Sequence, residues 1–142
     1  MTETLPLTVK LRLTSANSGR PVAGRAVRLW HCDGPDGVQA SDDAGWVTFT
    51  GAFPATHAGR WPHLHFGVYA STDATEALYT SRLALPGDAC ERAYAVAGYA
   101  DSRRDLARTS PVDVLSDGGA LEMASVTGDP DRGFVATRTV GV

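Results

Sequence analysis

Apolar and polar residues alternate without a break near the start of the chain. In residues 7–14, LTVKLRLT, a leucine or valine occupies every second position. Successive side chains of a β-strand point to opposite faces, so this alternation predicts a strand with one buried face. The segment that follows, SANSGRPVAG, is rich in the Asn, Gly and Pro residues that form turns, and it ends the strand.

Six further short segments have a strand-like pattern. They are residues 26–32, 46–50, 63–69, 78–85, 121–127 and 134–140. The last two are joined through GDPDRG, which predicts a hairpin-like link. Residues 88–97 predict one short helix, and residues 99–113 have charge without a sustained period and predict a loop. Each strand has a single apolar face that a second layer must cover, so the sequence predicts an antiparallel β-sandwich of seven to eight strands.

Length and charge limit the kinds of function. The chain has 142 residues, 43% hydrophobic and 20% charged, which predicts one domain spanning 1–142. A net charge of −3 with no basic cluster argues against a nucleic-acid partner. We expect a cytoplasmic protein that does not bind membranes, with Cys32 and Cys90 as reduced, packed thiols. β-Sandwiches have exposed edge strands, which can pair with a second copy of the chain. A homodimer is therefore one hypothesis.

The segment RWPHLHF interrupts one predicted strand with imidazoles. His63 and His65 lie two residues apart and therefore point to the same face, so both can approach one ion at about 2.0 to 2.1 Å. A pair of this kind is by itself a weak signal, and it is also typical of two solvated or hydrogen-bonded histidines. A third histidine, His57, precedes the pair in PATHAGRW, whose Pro and Gly residues allow a bend back toward the strand. We therefore predict a metal centre made of His57, His63 and His65.

The remaining histidine, His31, follows Trp30 in RLWHCD. We predict that it packs beside Trp30 or hydrogen-bonds to a metal ligand. Cys32, the next residue, points to the opposite face of the strand and is not expected to reach the same ion.

Four segments in this order carry a family resemblance: RPVAGRAVRLWHCD, DDAGWVTFTGAFPATHAGRWPHLHF, LYTSRLALPGDACERAY and VTGDPDRGFVATRTVGV. With them the chain resembles the catalytic domain of the intradiol ring-cleavage dioxygenases, non-haem iron enzymes that cut catechols between the two hydroxylated carbons. The resemblance implies a β-sandwich and a ferric centre held by two tyrosinates and two histidines. His63 and His65 fall on the family's histidines, and Arg60 falls on the arginine that places and polarises the catechol.

Three positions depart from the family pattern. His57 stands where the family has its second tyrosinate ligand, Gln39 stands where it has the first, and Arg82 replaces a pocket glutamine. Three neutral imidazoles favour one divalent transition metal ion, with copper or iron preferred and zinc possible as an alternative.

The chain's four tyrosines are candidates for a replacement oxygen ligand. Tyr69 shares the face of His65, but four strand residues span about 13 Å, which is too far for one ion. Tyr79, Tyr94 and Tyr99 remain open as ligands, and Tyr79 is also a candidate for the pocket.

These residues predict a metal-dependent, dioxygenase-like oxidoreductase that uses dioxygen on a small phenolic, catecholic or anionic substrate. Arg60 and Arg82 would orient the substrate, while Gln39 or His31 would support the metal ligands. One alternative is a non-catalytic metal-binding or structural member of the fold. A further alternative is a zinc hydrolase, for which the sequence offers no obvious general base.

Overall fold

The computed structural model describes residues 5–30, 37–54, 61–95, 99–107, 109 and 120–142. Within these residues it has nine strands and two helices. The strands are β1 (Pro6–Thr14), β2 (Ala26–Trp30), β3 (Gly37–Ala40), β4 (Trp46–Ala52), β5 (His63–Tyr69), β6 (Ala77–Ala84), β7 (Ala120–Met123), β8 (Ser125–Asp129) and β9 (Gly133–Gly141). The helices are α1 (Gly87–Tyr94) and α2 (Ala100–Leu106).

The strands form two sheets that cover each other's apolar faces. The four-stranded sheet has the order β4-β1-β9-β8, and the five-stranded sheet has the order β3-β2-β5-β6-β7. Alternate residues of β1 and β5 are buried, as their sequence pattern predicts. One continuous core draws on both sheets and includes Leu11, Leu13, Val27, Phe66, Leu83 and Phe134. The predicted β-sandwich is confirmed.

The sheets are not wholly antiparallel. β1 pairs with β9 in parallel, and β6 pairs with β7 in parallel. The second parallel pair arises because the predicted strand 121–127 is split at Ala124, where the chain crosses from one sheet to the other. Ala124 is buried, and its N–H donates to the carbonyl oxygen of Ala84 at 2.9 Å. Backbone hydrogen bonding therefore continues up to the crossing point.

The remaining predicted elements agree with the structure only in part. The short helix predicted at 88–97 is confirmed as α1, whereas α2 lies inside the predicted loop 99–113. β3 was not predicted. The hairpin between β8 and β9 is confirmed, and the Asp129 carboxylate accepts the backbone N–H groups of Asp131 and Arg132 at its turn.

The helices close one side of the core. α1 buries Cys90 and Tyr94, and the Tyr94 ring stacks on Tyr99 with 5.4 Å between centroids. Cys90 is a free thiol, as predicted, while Cys32 lies outside the described residues. In the described part of the chain, neither helix has the length and apolar character needed to cross a membrane.

Candidate metal centre

The histidine pair lies on the outer face of the five-stranded sheet. β5 is the central strand of that sheet, with β2 on one side and β6 on the other. His63 and His65 are half-buried, whereas Leu64 and Phe66 point into the core. The predicted alternation therefore places both imidazoles together on the polar side of a strand that is held from both edges.

The two imidazole rings have a spacing suited to one shared ion. Their centroids are 5.0 Å apart and the ring planes meet at 73°. Two imidazoles that each bind one ion at about 2.1 Å, with a tetrahedral or octahedral angle between them, have centroids roughly 4.5 to 5 Å apart. The observed centroid separation of His63 and His65 falls in that range.

A hydrogen bond to the backbone sets the tautomer of His63. Nδ1 of His63 lies 2.6 Å from the carbonyl oxygen of Trp61. A carbonyl oxygen only accepts, so Nδ1 carries the proton and donates, and the lone pair lies on Nε2. Metal-binding histidines commonly use such a bond to set their tautomer and orientation.

Trp61 is itself held in place. Its indole N–H donates to the carbonyl oxygen of Leu85 at 2.7 Å, and the Leu85 N–H donates to the carbonyl oxygen of Pro62 at 3.2 Å. The Trp61 ring is buried against Ala84 and Leu106 on the outer face of the sheet. The segment that leads into His63 is therefore fixed before β5 begins.

His65 is kept neutral by its surroundings. Burial lowers the pKa of His65, and the neighbouring His63 and Arg82 lower it further. Arg82 lies directly opposite His65 in the antiparallel pair of β5 and β6. A neutral imidazole has the lone pair that metal coordination requires.

Beyond His65, the same face of β5 carries Gly67 and Tyr69. The Tyr69 ring folds back over Gly67, so that a Cβ atom placed on the glycine would lie 3.0 Å from Cε1 and 3.3 Å from the hydroxyl oxygen. Arg28 on β2 lies opposite Gly67, with its Cζ atom 5.8 Å from the centroid of the Tyr69 ring. Sequence spacing alone set Tyr69 aside, because the distance was counted along the backbone.

Two of the predicted pocket residues lie on the other face of the sheet. Gln39 is in register with Val27, and its Oε1 accepts the backbone N–H of Thr48 on β4 at 3.1 Å. Tyr79 is in register with Val68, and its ring packs near Phe66 at 6.1 Å. The structure brings neither Gln39 nor Tyr79 to the histidine pair.

The hydroxyl groups of two further tyrosines form hydrogen bonds inside the protein. Tyr94 donates its hydroxyl hydrogen to the carbonyl oxygen of Pro54 at 2.7 Å. Tyr99 donates to the carbonyl oxygen of Phe53 at 2.9 Å and accepts the N–H of Leu5 at 3.2 Å. All four tyrosines of the chain are described, and Tyr69 is the one that shares the face of the histidines.

Several predicted site residues lie outside the described residues: His57, Arg60 and His31. Among the described residues, no group of three or more His, Cys, Asp or Glu side chains could hold an ion. His63 and His65 thus supply two donors of suitable geometry, and the third ligand stays a prediction.

Comparison with protein-family models and with curated proteins gives no match. Solved structures do match. An intradiol ring-cleavage dioxygenase from Tetranychus urticae superposes with a TM-score of 0.76 at 16% identity, over 99% of this chain and 81% of that one. The dioxygenase domain of a carbohydrate-binding fusion protein from Streptomyces sp. SirexAA-E gives 0.62 at 18% identity, over 99% and 81%.

A longer enzyme matches as well. Hydroxyquinol 1,2-dioxygenase from Pseudomonas putida DLL-E4 gives a TM-score of 0.57 at 16% identity, and this chain spans 57% of its length. At these identities the likeness concerns the fold. The protein has the β-sandwich fold of the intradiol ring-cleavage dioxygenases, so the resemblance seen in the sequence is confirmed at that level.

Proposed function

We propose that the protein is a non-haem, metal-dependent oxidoreductase that reacts a small phenolic, catecholic or otherwise anionic substrate with dioxygen. The metal would be held by His63 and His65, with His57 as the third ligand. The observation that carries the proposal is the histidine pair, whose ring spacing suits one ion and whose His63 tautomer, set by the bond to Trp61, puts the lone pair on Nε2.

The donor set favours a divalent ion over a ferric one. Imidazoles are neutral ligands, and imidazole suits Fe(II), Cu(II) and Zn(II). The phenols of Tyr94 and Tyr99 hydrogen-bond to backbone carbonyls in the core, which removes two candidates for a tyrosinate ligand. When bound, such an ion would supply a positive centre for the ionised oxygen of a phenol, and iron or copper, unlike zinc, would also exchange electrons with substrate and dioxygen.

The position of Arg82 favours a substrate with a negative charge. Its position opposite His65 puts a permanent positive charge beside the proposed ion. A guanidinium there can donate charge-assisted hydrogen bonds to a phenolate or carboxylate and orient it. Arg60 would contribute a second charge from the segment before β5.

Metal analysis of protein purified without added metal, combined with an absorption spectrum, tests the proposal. We expect about one divalent transition ion per chain and no intense visible band of a tyrosinate–Fe(III) complex. The variants His57→Ala, His63→Ala and His65→Ala should each lose most of the ion. Thr80→Ala, on an exposed position of β6, should retain it.

Oxygen uptake with catechol, after loading with Fe(II) or Cu(II), tests the reaction itself. A tyrosinate–Fe(III) band would contradict the ligand set, and full metal occupancy in His63→Ala would contradict the site. An ion held by the three histidines without oxygen uptake would favour the non-catalytic alternative. Stoichiometric zinc with hydrolytic activity would favour the hydrolase.

A further inference from the structure

We infer that Tyr69 contacts the substrate at the His63–His65 site and is directed there by Gly67. This inference rests on the proposed function and deepens it, because it assigns a substrate-binding group to a strand position that sequence spacing sets aside. The hydroxyl of Tyr69 would donate a hydrogen bond to an oxygen atom of a phenolic substrate.

The first argument is position. The Tyr69 hydroxyl lies 3.3 Å from where a Cβ atom of residue 67 would be. Same-face Cβ positions two residues apart on a strand are roughly 6 to 7 Å apart. The hydroxyl therefore lies no more than roughly 10 Å from the base of the His65 side chain, on the same face of β5. A single aromatic ring with its substituents fits within that distance.

The second argument is chemical availability. The hydroxyls of Tyr94 and Tyr99 both have hydrogen-bond partners at 2.7 and 2.9 Å. Within the residues that the structure describes, the Tyr69 hydroxyl has no such hydrogen bond. A half-buried phenol with no such partner among the described residues can donate to a bound ligand.

The third argument is that the ring is held in this orientation. Gly67 lacks the side chain that would occupy the same space, and any Cβ there would meet the ring at 3.0 Å. Arg28 lies over the ring on the β2 side at 5.8 Å. A cation over an aromatic face is attracted to it, so Arg28 helps keep the ring in place over Gly67.

Together these residues define the two flanks of a substrate position. Arg82 lies beside His65 on β6, and Tyr69 extends toward His65 along β5. A small aromatic compound whose ionised oxygen binds the metal would be held between a guanidinium and a phenol hydroxyl. This favours a substrate with at least two oxygen substituents on one ring.

Ligand binding to the Zn(II)-loaded protein tests the inference without turnover. The probe is 4-nitrocatechol, whose absorbance changes when it ionises on a metal. We expect Tyr69→Phe to weaken binding of the probe about threefold to tenfold, the effect of one neutral hydrogen bond. Zn(II) affinity should not change. Tyr79→Phe is the matched control, because Tyr79 lies on the opposite face, and it should bind the probe as the wild type does.

Gly67→Ala provides an independent second variant. The added methyl group should displace the Tyr69 ring and weaken probe binding by a similar factor. In the Tyr69→Phe background the same substitution should have little further effect, because the hydroxyl it displaces is already gone. Additive losses in the double variant would contradict the proposed action of Gly67 through Tyr69.

The outcomes separate this inference from the proposed function. Equal probe binding by wild type and Tyr69→Phe overturns the role of Tyr69 and leaves the metal site standing. A Zn(II)-loaded wild type that does not bind 4-nitrocatechol also overturns it. A wild type that binds no divalent ion at all overturns the proposed function, and the role of Tyr69 with it.

Discussion

The indole of Trp61 donates to the carbonyl oxygen of Leu85, 2.7 Å away, while the carbonyl oxygen of Trp61 accepts from His63. One residue thus links the end of β6 to the first histidine of the proposed metal site.

Trp61→Phe should therefore lower metal affinity although Trp61 touches no metal. We expect a loss of roughly tenfold, at the lower end of the effect of removing a partner of a ligand, because the bond lost is one step further away. Stability should fall by about 1 kcal/mol with the buried hydrogen bond. Calorimetric titration with Zn(II) checks the affinity. Trp46→Phe, in the other sheet, is the matched control and should leave it unchanged.

Arg82→Gln should weaken the binding of anionic ligands and spare the metal. A charge-assisted hydrogen bond contributes about 1.5 to 3 kcal/mol, so binding of 4-nitrocatecholate should weaken by roughly tenfold to hundredfold. Zn(II) affinity should hold or rise slightly, because a neighbouring positive charge has gone. Arg12→Gln, on the other sheet, should change neither value. Undiminished probe binding in Arg82→Gln would remove Arg82 from the pocket.

Gln39→Ala should affect stability and not the metal. The Oε1 atom of Gln39 accepts the N–H of Thr48, which ties β3 of one sheet to β4 of the other. Losing this bond should cost about 0.5 to 1.5 kcal/mol in the free energy of unfolding, measured with urea. Gln39→Glu keeps an acceptor oxygen and should restore most of the loss. A drop in metal occupancy in Gln39→Ala would contradict the placement of Gln39 away from the site.

Cys90 should be unreactive in the folded protein. Burial, with smaller contributions from Asp88 and Glu91, raises the pKa of its thiol to about 12. In a Cys32→Ser background, a disulfide reagent at pH 8 should label Cys90 only after unfolding. Rapid labelling of the native variant would show that the thiol is accessible.

The same thiol makes stability depend on alkaline pH. The pKa is higher in the folded state than the ordinary value of 9.0, so the stabilising contribution is complete below about pH 9 and is lost as pH rises toward 12. The free energy of unfolding of the Cys32→Ser variant should fall across that window. Adding Cys90→Ala should flatten the slope, and an unchanged slope would mean that another group titrates.

Sequence pattern predicted the elements whose faces differ most in polarity. β1 and β5 alternate over nine and seven residues, and one face of each meets the core. β3 has four residues, of which three are exposed, so no alternation marks it. A short strand at the edge of a sheet is stabilised by backbone pairing, which leaves little trace in composition.

The crossing at Ala124 could not be read from the chain. Ala124 is the single residue between β7 and β8 and is not a typical turn residue, yet the two strands lie in different sheets. The sheet that each strand joins depends on its pairing partner: β7 pairs with β6, and β8 pairs with β9. Pairing between residues far apart in sequence carries that information, so the parallel pairs were missed as well.

For the candidate site, alternation was enough to place His63 and His65 together, and register was needed for the rest. Gln39 was assigned to the pocket by alignment with a family pattern and Tyr79 by its place on the neighbouring strand, but pairing with Val27 and Val68 turns them to the other face. Tyr69 was set aside by a distance along the backbone that ignored the length of its own side chain. The absence of a Cβ atom at Gly67 leaves room for that side chain to fold back toward His65.

The histidine-bearing strand has a hydrogen-bonded neighbour on each side. Its backbone is among the last parts of such a sheet to open, since opening it requires breaking two ladders at once. Before any ion binds, the two strand-borne residues of the proposed site, His63 and His65, are therefore already in place. An ion bound there would enter and leave the folded protein. A chelator should therefore remove the ion without unfolding the chain.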